Sequence, residues 1–457
     1  MARAFKSKEV AFAIAREQNW IHCFGSNVCL MKLLVFAHTP PPHHGQSYMV
    51  QQMLARLGGD HRKHKGKSIS ENPDGQTHGI ECYHVNAQVS KGLEDIGKLQ
   101  IVKILLTLRY CLEAIWCRFR YGVKNFYYVP APGKSVAVHR DWLVMFVCRP
   151  FFKYIILHWH AAGLAKWLET SVQIHTRTIT YKAFNQPELS IVISKYNFAD
   201  AEKLFSRRIR HVDYGIPDPC PNYVDGIQLR RSARFAARQK IMAGHALEST
   251  DYEQAGDDPD VIRVLFLAHC MKEKGVFDAM RAIALANATL AELQPRLRFR
   301  LIIGGSFVTQ EEKDEYDKYM TESELAHSVD YWGFVSGETK ERALREADLF
   351  CFPTYYLGEN QPVSIIEAMA FGLPIVTTHW RSLPEMLPPG YCGLVPIRSP
   401  DRVAAALLLL MTRESGEGLR NIFLSRFTVE KHVTALAKAI TSIEQSPPEP
   451  EAADTLG

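Results

Sequence analysis

Two glutamates, Glu359 and Glu367, stand in the stretch GENQPVSIIEAMAFGLPIVTT, residues 358–378, which is otherwise free of charged side chains. Pro362 suits a first helical position, where its missing N–H costs nothing. Gly372 suits the residue just past a helix end, and Pro374 prevents continuation. The residues between, Val363, Ile365, Ile366, Ala368, Met369, Ala370 and Phe371, are apolar almost all round, which predicts a short buried helix with Glu367 inside it. Neither Val363 nor Phe371, one turn away on either side, offers a cation. A buried carboxylate without a partner costs several kcal/mol, so Glu367 needs one. Glu359 lies just ahead of the helix start, where free N–H groups and the positive dipole end favour anions.

The other residues with chemical potential also fall just after strand-like runs. Lys32–Ala37 reads as a strand followed by the loop His38–Ser47, which contains Gly45 and Gln46, and by a helix over Tyr48–Leu57. Phe126–Val129, Tyr154–His158 and Ser190–Ile193 read as further strands, with His158 and His160 at the end of the second. In the second half, Ile262–Leu267 precedes His269 and Lys274-Gly275 and then a helix over Val276–Ala288. Phe299–Ile303 runs into Gly304-Gly305, Val329–Trp332 into Gly333-Phe334, and Leu349–Phe352 into Pro353. Strands alternating with helices twice over predict an α/β chain of two parallel-sheet domains, with ligand held in the cleft at the carboxyl ends of the strands. The reading places His158 on the opposite face from His160, packed away. His38, His43 and His44 lack fixed spacing and neighbouring carboxylates, so no metal site is expected.

A chain of 457 residues exceeds one core. The expected division is an N-terminal extension over 1–30, an acceptor domain over 31–225, a nucleotide-sugar domain over 226–425, a helix over 426–445 that crosses back to the first domain, and a Pro- and acid-rich tail over 446–457. Residues 215–221 read as a linker and Glu248–Asp260 as a flexible polar loop. The true start is Met1 or Met31. Ten cysteines without a C-x-x-C pair argue against a zinc or disulfide framework and for a reducing, cytoplasmic setting. No apolar run reaches transmembrane length. Residues 31–220 hold 25 Lys/Arg against 14 Asp/Glu, or +11, whereas the whole chain is +5, leaving −6 elsewhere. Such a basic half faces phosphates, anionic lipid or nucleic acid, or is simply a solvated surface. The segment 103–123, KILLTLRYCLEAIWCRFRYGV, is open to two readings: a scaffold helix with basic residues outward, or a helix lying on an anionic membrane surface on the inner face of the cell.

Glu359, seven residues, Glu367, and then Ala368-Met369-Ala370-Phe371-Gly372-Leu373-Pro374 resemble the E-x7-E signature of the family 4 (group 1) retaining glycosyltransferases, which have two Rossmann-like domains facing across a cleft, the GT-B fold. Lys274-Gly275, Gly304-Gly305, Trp332-Gly333-Phe334, Ala347-Asp348-Leu349-Phe350, Cys351-Phe352-Pro353-Thr354 and Cys392-Gly393-Leu394-Val395 support the likeness, and Leu157-His158-Trp159-His160 resembles the family's H-x-H. The resemblance implies transfer of a sugar from a nucleotide-diphosphate-sugar donor to a glycan or lipid-linked acceptor, in surface polysaccharide or glycolipid synthesis, with no cofactor, no metal and no nucleic acid. Glu367 would accept hydrogen bonds from the ribose diol, and Glu359 would bond the donor sugar. Lys274, the backbone of Gln361, Val363 and Ser364 with Asn360 and Pro362 beside them, and the loop at Gly45 and Gln46 would meet the diphosphate. Gly304, Gly333 and Phe334 would line the base, and His160 would stand by the reacting carbon. His269 occupies the place where the family often has an arginine. The alternatives are a GT-B nucleotide-sugar epimerase and a non-catalytic nucleotide-sugar-binding or scaffold protein, the second favoured by His269.

Overall fold

The computed structural model describes residues 30–41, 45–63, 78–89, 101–256, 258–322, 324–413 and 416–444; the expectations for residues 1–29, for His43 and His44 and for the tail 446–457 lie outside them. Strands Met31–Phe36 (β1), Ile80–Val85 (β2), Asn125–Tyr128 (β3), Tyr154–Trp159 (β4), Leu189–Val192 (β5) and Ile209–His211 (β6) form one sheet in the order β2-β1-β3-β4-β5-β6, parallel throughout. Val261–Leu267 (β7), Arg298–Gly304 (β8), Val329–Gly333 (β9), Leu349–Phe352 (β10), Ile375–Thr378 (β11) and Leu394–Val395 (β12) form a second parallel sheet, β12-β11-β10-β7-β8-β9. The strand order reverses beside β1 in the first sheet and beside β7 in the second, so each sheet opens a crevice at that point. The loops after β1, β3, β7 and β10 border those crevices; Gly45 and Gln46 follow β1, His269 and Lys274 follow β7, and Glu359 follows β10, whereas His160 follows β4 and Gly304, Gly333 and Phe334 lie at the ends of β8 and β9.

The central strands are continuous apolar runs because helices cover both faces of a parallel sheet. Three edge strands escaped the sequence reading: β2, β6 and the two-residue β12. In β2, polar residues interrupt the run, yet all six are buried, and Glu81 is satisfied by the Tyr83 hydroxyl at 2.8 Å and His61 Nε2 at 2.8 Å. In β6, two of the three residues are basic and exposed. The polar stretch 248–260, read as a flexible loop, instead contains the helix Ser249–Ala255. A capping box explains it: the Glu248 N–H donates to Asp251 Oδ2 at 2.9 Å, and Lys240 Nζ binds Asp251 Oδ1 at 2.7 Å.

The helix Val429–Thr441 crosses back and places Val433, Leu436 and Ile440 in one core with Leu33, Val35 and Ile156 of the first sheet. The chain passes between the two halves at this point. Ile216 N–H donates to Phe427 O at 2.9 Å, and Val429 N–H donates to Ile216 O at 2.9 Å. Gly215 is required beside this crossing, because a Cβ there would lie 2.2 Å from Thr428 O. At the foot of the second sheet, the buried Asp348 is held by Arg234 Nε and Arg238 Nη1, both at 3.0 Å. Burial opposes its ionisation, but these two guanidiniums outweigh it and hold the carboxyl well below the usual range.

Candidate active site

The helix predicted around Glu367 spans Val363–Ala370. Pro362 is its N-cap rather than its first helical residue, and its carbonyl accepts from the N–H groups of Ile365 at 3.1 Å and Ile366 at 3.4 Å. The N–H groups of Val363 and Ser364, in the first turn, have no partner inside the helix and point out of its start. Gly372 ends the helix with φ +60°, and a Cβ there would meet the Tyr223 hydroxyl at 2.2 Å.

Glu367 has the partner it needed, although its own helix does not provide it. Lys340 Nζ, from the helix Gly337–Glu346, lies 2.5 Å from Glu367 Oε1. The carboxylate is half-buried rather than sealed in the core. Tyr48 reaches toward it from the first half: burial raises its phenol pKa, and the Glu367 charge adds to that. Glu359 is buried and pairs with Lys274 Nζ at 2.6 Å; Thr354 Oγ1 also donates to Glu359, at 3.2 Å. Lys274 thus bridges the β7 and β10 loops. Gly275, with φ +85°, lets those loops close up, since a Cβ there would stand 2.4 Å from Pro353 O.

Tyr356, which the sequence reading passed over, carries a cation from each half. Lys274 Nζ lies 4.7 Å from its ring centre, and Lys134 Nζ, from the loop after β3, lies 5.7 Å from the same centre and 3.5 Å from its hydroxyl. His269 sits half-buried beside Lys274; burial, then the lysine's charge, lowers its pKa, so it is neutral at pH 7 and supplies no fixed positive charge. Lys272, two residues before Lys274, faces Glu315 at 3.8 Å. Gly45 stands against the helix start, its Cβ position 3.6 Å from Val363 Cγ2, with Gln46 next to it and half-buried. Gly304 is hemmed in by Val335 and Leu267, whereas the space beside Gly333 is open and Phe334 is exposed. Asn360 and Gln361 direct their side chains at the first half, not into the crevice. Asn360 bonds Asn197; Gln361 accepts from Tyr214 N–H at 2.8 Å and donates to Asp213 at 2.7 Å. Burial opposes ionisation of Asp213, but hydrogen bonds from His211, Arg426 and Gln361 hold its pKa down to about 2.

His160, just past β4, bonds the Tyr214 hydroxyl. His158 does not face away from it: the rings are 4.2 Å apart, because positions i and i+2 of a strand share a face. His158 Nδ1 bonds the Tyr127 hydroxyl at 2.5 Å, and His432 of the crossing helix stacks 6.5 Å away with Nδ1 bonded to Asp213 O at 2.7 Å. Burial lowers the pKa of both His158 and His432, the latter to about 4. An unfolded histidine titrates near 6.5. The stability carried by neutral His432 is therefore complete above about pH 6.5 and is lost as pH falls toward 4, by about 3 kcal/mol. His432→Asn, which keeps a donor for Asp213 O, is expected to flatten the acid limb of stability in that window. Urea melts at stepped pH read the slope, and an unchanged slope would remove His432 from the account.

Among the described residues, no group of three or more His, Cys, Asp or Glu is placed to hold a metal ion. No described helix is long and apolar enough to cross a membrane.

Two parallel-sheet halves with their crevices face to face, and a lysine–glutamate pair at a helix start between them, define the GT-B class of fold. Residues 249–423, in the second half, match the family model of the glycosyl transferases group 1. Among curated proteins, it is 25% identical to the amylovoran biosynthesis glycosyltransferase AmsK of Erwinia amylovora over 37% of this chain and 40% of that one. It is 34% identical to the phosphatidyl-myo-inositol mannosyltransferase of Mycolicibacterium smegmatis over 21% of this chain and 25% of that one. The matches thus span from a quarter to two-fifths of these relatives' length. The crystal structure of Anabaena Alr3699/HepE in complex with UDP-glucose superposes over 90% of this chain and 100% of that one, with TM-score 0.56 and 15% identity, which bears on the fold alone.

Proposed function

We propose that this protein is a retaining glycosyltransferase that moves a sugar from a nucleotide-diphosphate donor to a glycan or lipid-linked acceptor, in polysaccharide or glycolipid synthesis, without a metal. The observation that carries the reading is the buried Lys274–Glu359 pair at 2.6 Å beside the start of Val363–Ala370, because it sets a cation and unpaired N–H groups where a diphosphate would lie. Glu367 accepts the ribose diol and Glu359 the donor sugar's hydroxyls. As the bond from the anomeric carbon to the phosphate oxygen breaks, Lys274 and the N–H groups of Val363 and Ser364 stabilise the charge on the leaving diphosphate. The acceptor oxygen bonds to the anomeric carbon on the face the diphosphate leaves, and its proton passes to the departing phosphate. His160, fixed by Tyr214, lies beside the reacting carbon as a hydrogen-bonding group and not as a base. Lys134 supplies, across the cleft, the second cation that neutral His269 does not.

The names of the relatives, a mannosyltransferase acting on phosphatidyl-myo-inositol and an amylovoran glycosyltransferase, support the acceptor class. The test is calorimetry with UDP-, GDP- and ADP-sugars, followed by NMR of the product made with the donor that binds. One donor class should bind, nucleoside diphosphate should be released in the presence of EDTA, and the new linkage should keep the donor's anomeric configuration. An inverted linkage, or an isomerised donor formed without acceptor, would overturn the reading; failure of every donor to bind would favour a scaffold.

A further inference from the structure

The helix Ile101–Tyr121 lies on the outside of the first half, where it packs against the helix Ser135–Cys148. It buries only small or slender side chains: Thr107, Cys111, Ala114 and Cys117. Many of its large apolar side chains face outward, whereas Leu106, Leu108 and Ile115 are half-buried. Leu112 is 65% exposed, Trp116 53% and Phe119 68%, and Ile101 and Leu105 continue the stripe at helical spacing. Phe151, from the neighbouring segment, widens it, with its ring edge-on to Phe119 at 6.0 Å. Arg118 ties the two together: its Nε donates to Phe151 O at 2.8 Å, and its guanidinium lies 5.8 Å from the Phe119 ring. Arg109 and Arg120 are exposed on the same outer face. The helix has one carboxylate, Glu113, and Arg62 Nη1 engages it at 2.7 Å.

A solvated scaffold helix keeps polar groups outward and apolar ones inward. Here large apolar side chains share the outer face with Arg109 and Arg120, and contiguous exposed apolar surface of this kind marks an interaction site. Charge selects the occupant. A second copy docked face to face across a two-fold axis would press Arg109, Arg118 and Arg120 against their own copies. An anionic phospholipid surface accepts the apolar stripe and the guanidiniums together, and tryptophan and arginine suit the headgroup boundary, where one part of the side chain is dry and the other wet.

We propose that the helix Ile101–Tyr121 docks this protein on an anionic phospholipid bilayer, lying in the plane of the surface with Leu105, Leu112, Trp116 and Phe119 inserted and the arginines at the phosphates. The docking stands apart from the transferase reading, because vesicle binding is measured without donor or acceptor. The full-length protein is sedimented with vesicles of phosphatidylcholine containing about one-third phosphatidylglycerol, and with pure phosphatidylcholine vesicles. The wild type should bind the anionic vesicles, and less so at high salt. Leu112→Gln/Trp116→Gln/Phe119→Gln and, separately, Arg109→Glu/Arg120→Glu should each lower the partition coefficient by about tenfold or more with unchanged melting temperature. The two sets test apolar and charge contributions separately, so a folding defect in one leaves the other decisive. Wild type that stays in the supernatant, or variants that sediment like wild type, would overturn the proposal. So would a wild-type dimer in sedimentation velocity that the triple variant abolishes, which would assign the stripe to a second copy.

Discussion

Lys274→Ala is expected to lower kcat by about 10²–10³-fold and to destabilise the fold by about 3 kcal/mol. Both effects have one cause. The Lys274 ammonium lies 2.6 Å from Glu359 in a site where both side chains are largely withdrawn from water. Removing the lysine leaves a buried carboxylate that keeps the Thr354 hydroxyl, at 3.2 Å, as a side-chain donor. The same change takes a positive charge from the place where the leaving diphosphate gains negative charge, and fixed charge in a low-dielectric site counts for more than it does in water. The two effects separate in a double variant. Lys274→Ala/Glu359→Gln should recover much of the stability, because the amide needs no counter-charge, yet recover none of the rate. Urea titration and single-turnover kinetics on wild type, Lys274→Ala, Glu359→Gln and the double variant measure both. A double variant as unstable as Lys274→Ala would show that the pair is not what holds the two loops together. Retention of rate in Lys274→Ala would move the leaving-group role to Lys134 and the helix start.

Glu367→Ala should weaken donor binding by about 100-fold, because a carboxylate that accepts two hydroxyl donors loses two charge-assisted hydrogen bonds at about 1.5 kcal/mol or more each. Stability should change far less. The Lys340–Glu367 pair is only half-buried, with the lysine side chain 34% exposed, and such pairs contribute about 1 kcal/mol or less. Lys340 is a positioning residue in this scheme, holding Oε1 at 2.5 Å so that the carboxylate presents a fixed edge. Lys340→Ala should therefore cost less than about tenfold in affinity, with the same nucleotide preference. Calorimetry with the preferred donor and with its free nucleoside diphosphate decides the matter. The loss at Glu367 should appear in both ligands, since both carry the ribose. A Glu367→Ala protein that binds either within about threefold of wild type would remove the ribose assignment.

Much of the architecture was legible because it depends on neighbours in sequence. Val261–Leu267 and Leu349–Phe352 are apolar runs bounded by loops, and the helix Val363–Ala370 announces its end with Gly372 and Pro374. The alternation of such segments implied two parallel sheets, and so placed Lys274, Glu359 and Glu367 at the carboxyl ends of strands. The edge strands β2 and β6 and the helix Ser249–Ala255 were not legible. Their polar residues look like loop until a cross-strand hydroxyl, a solvent-facing edge or a reciprocal cap accounts for them.

The partners in the site were the part only the tertiary structure decided. Glu367 meets Lys340 across 27 residues, Glu359 meets Lys274 across 85, Gln361 meets Tyr214 across 147, and Lys134 reaches Tyr356 across 222. Periodicity and capping act over a few residues, and so by themselves placed Lys274, Glu359 and Glu367 just after strands and showed that a single carboxylate in an apolar helix needs a partner. Which cation answers which carboxylate depends on how two sheets and a crossing helix pack. That packing sums many weak apolar contacts between distant segments, none of which leaves a local mark in the chain.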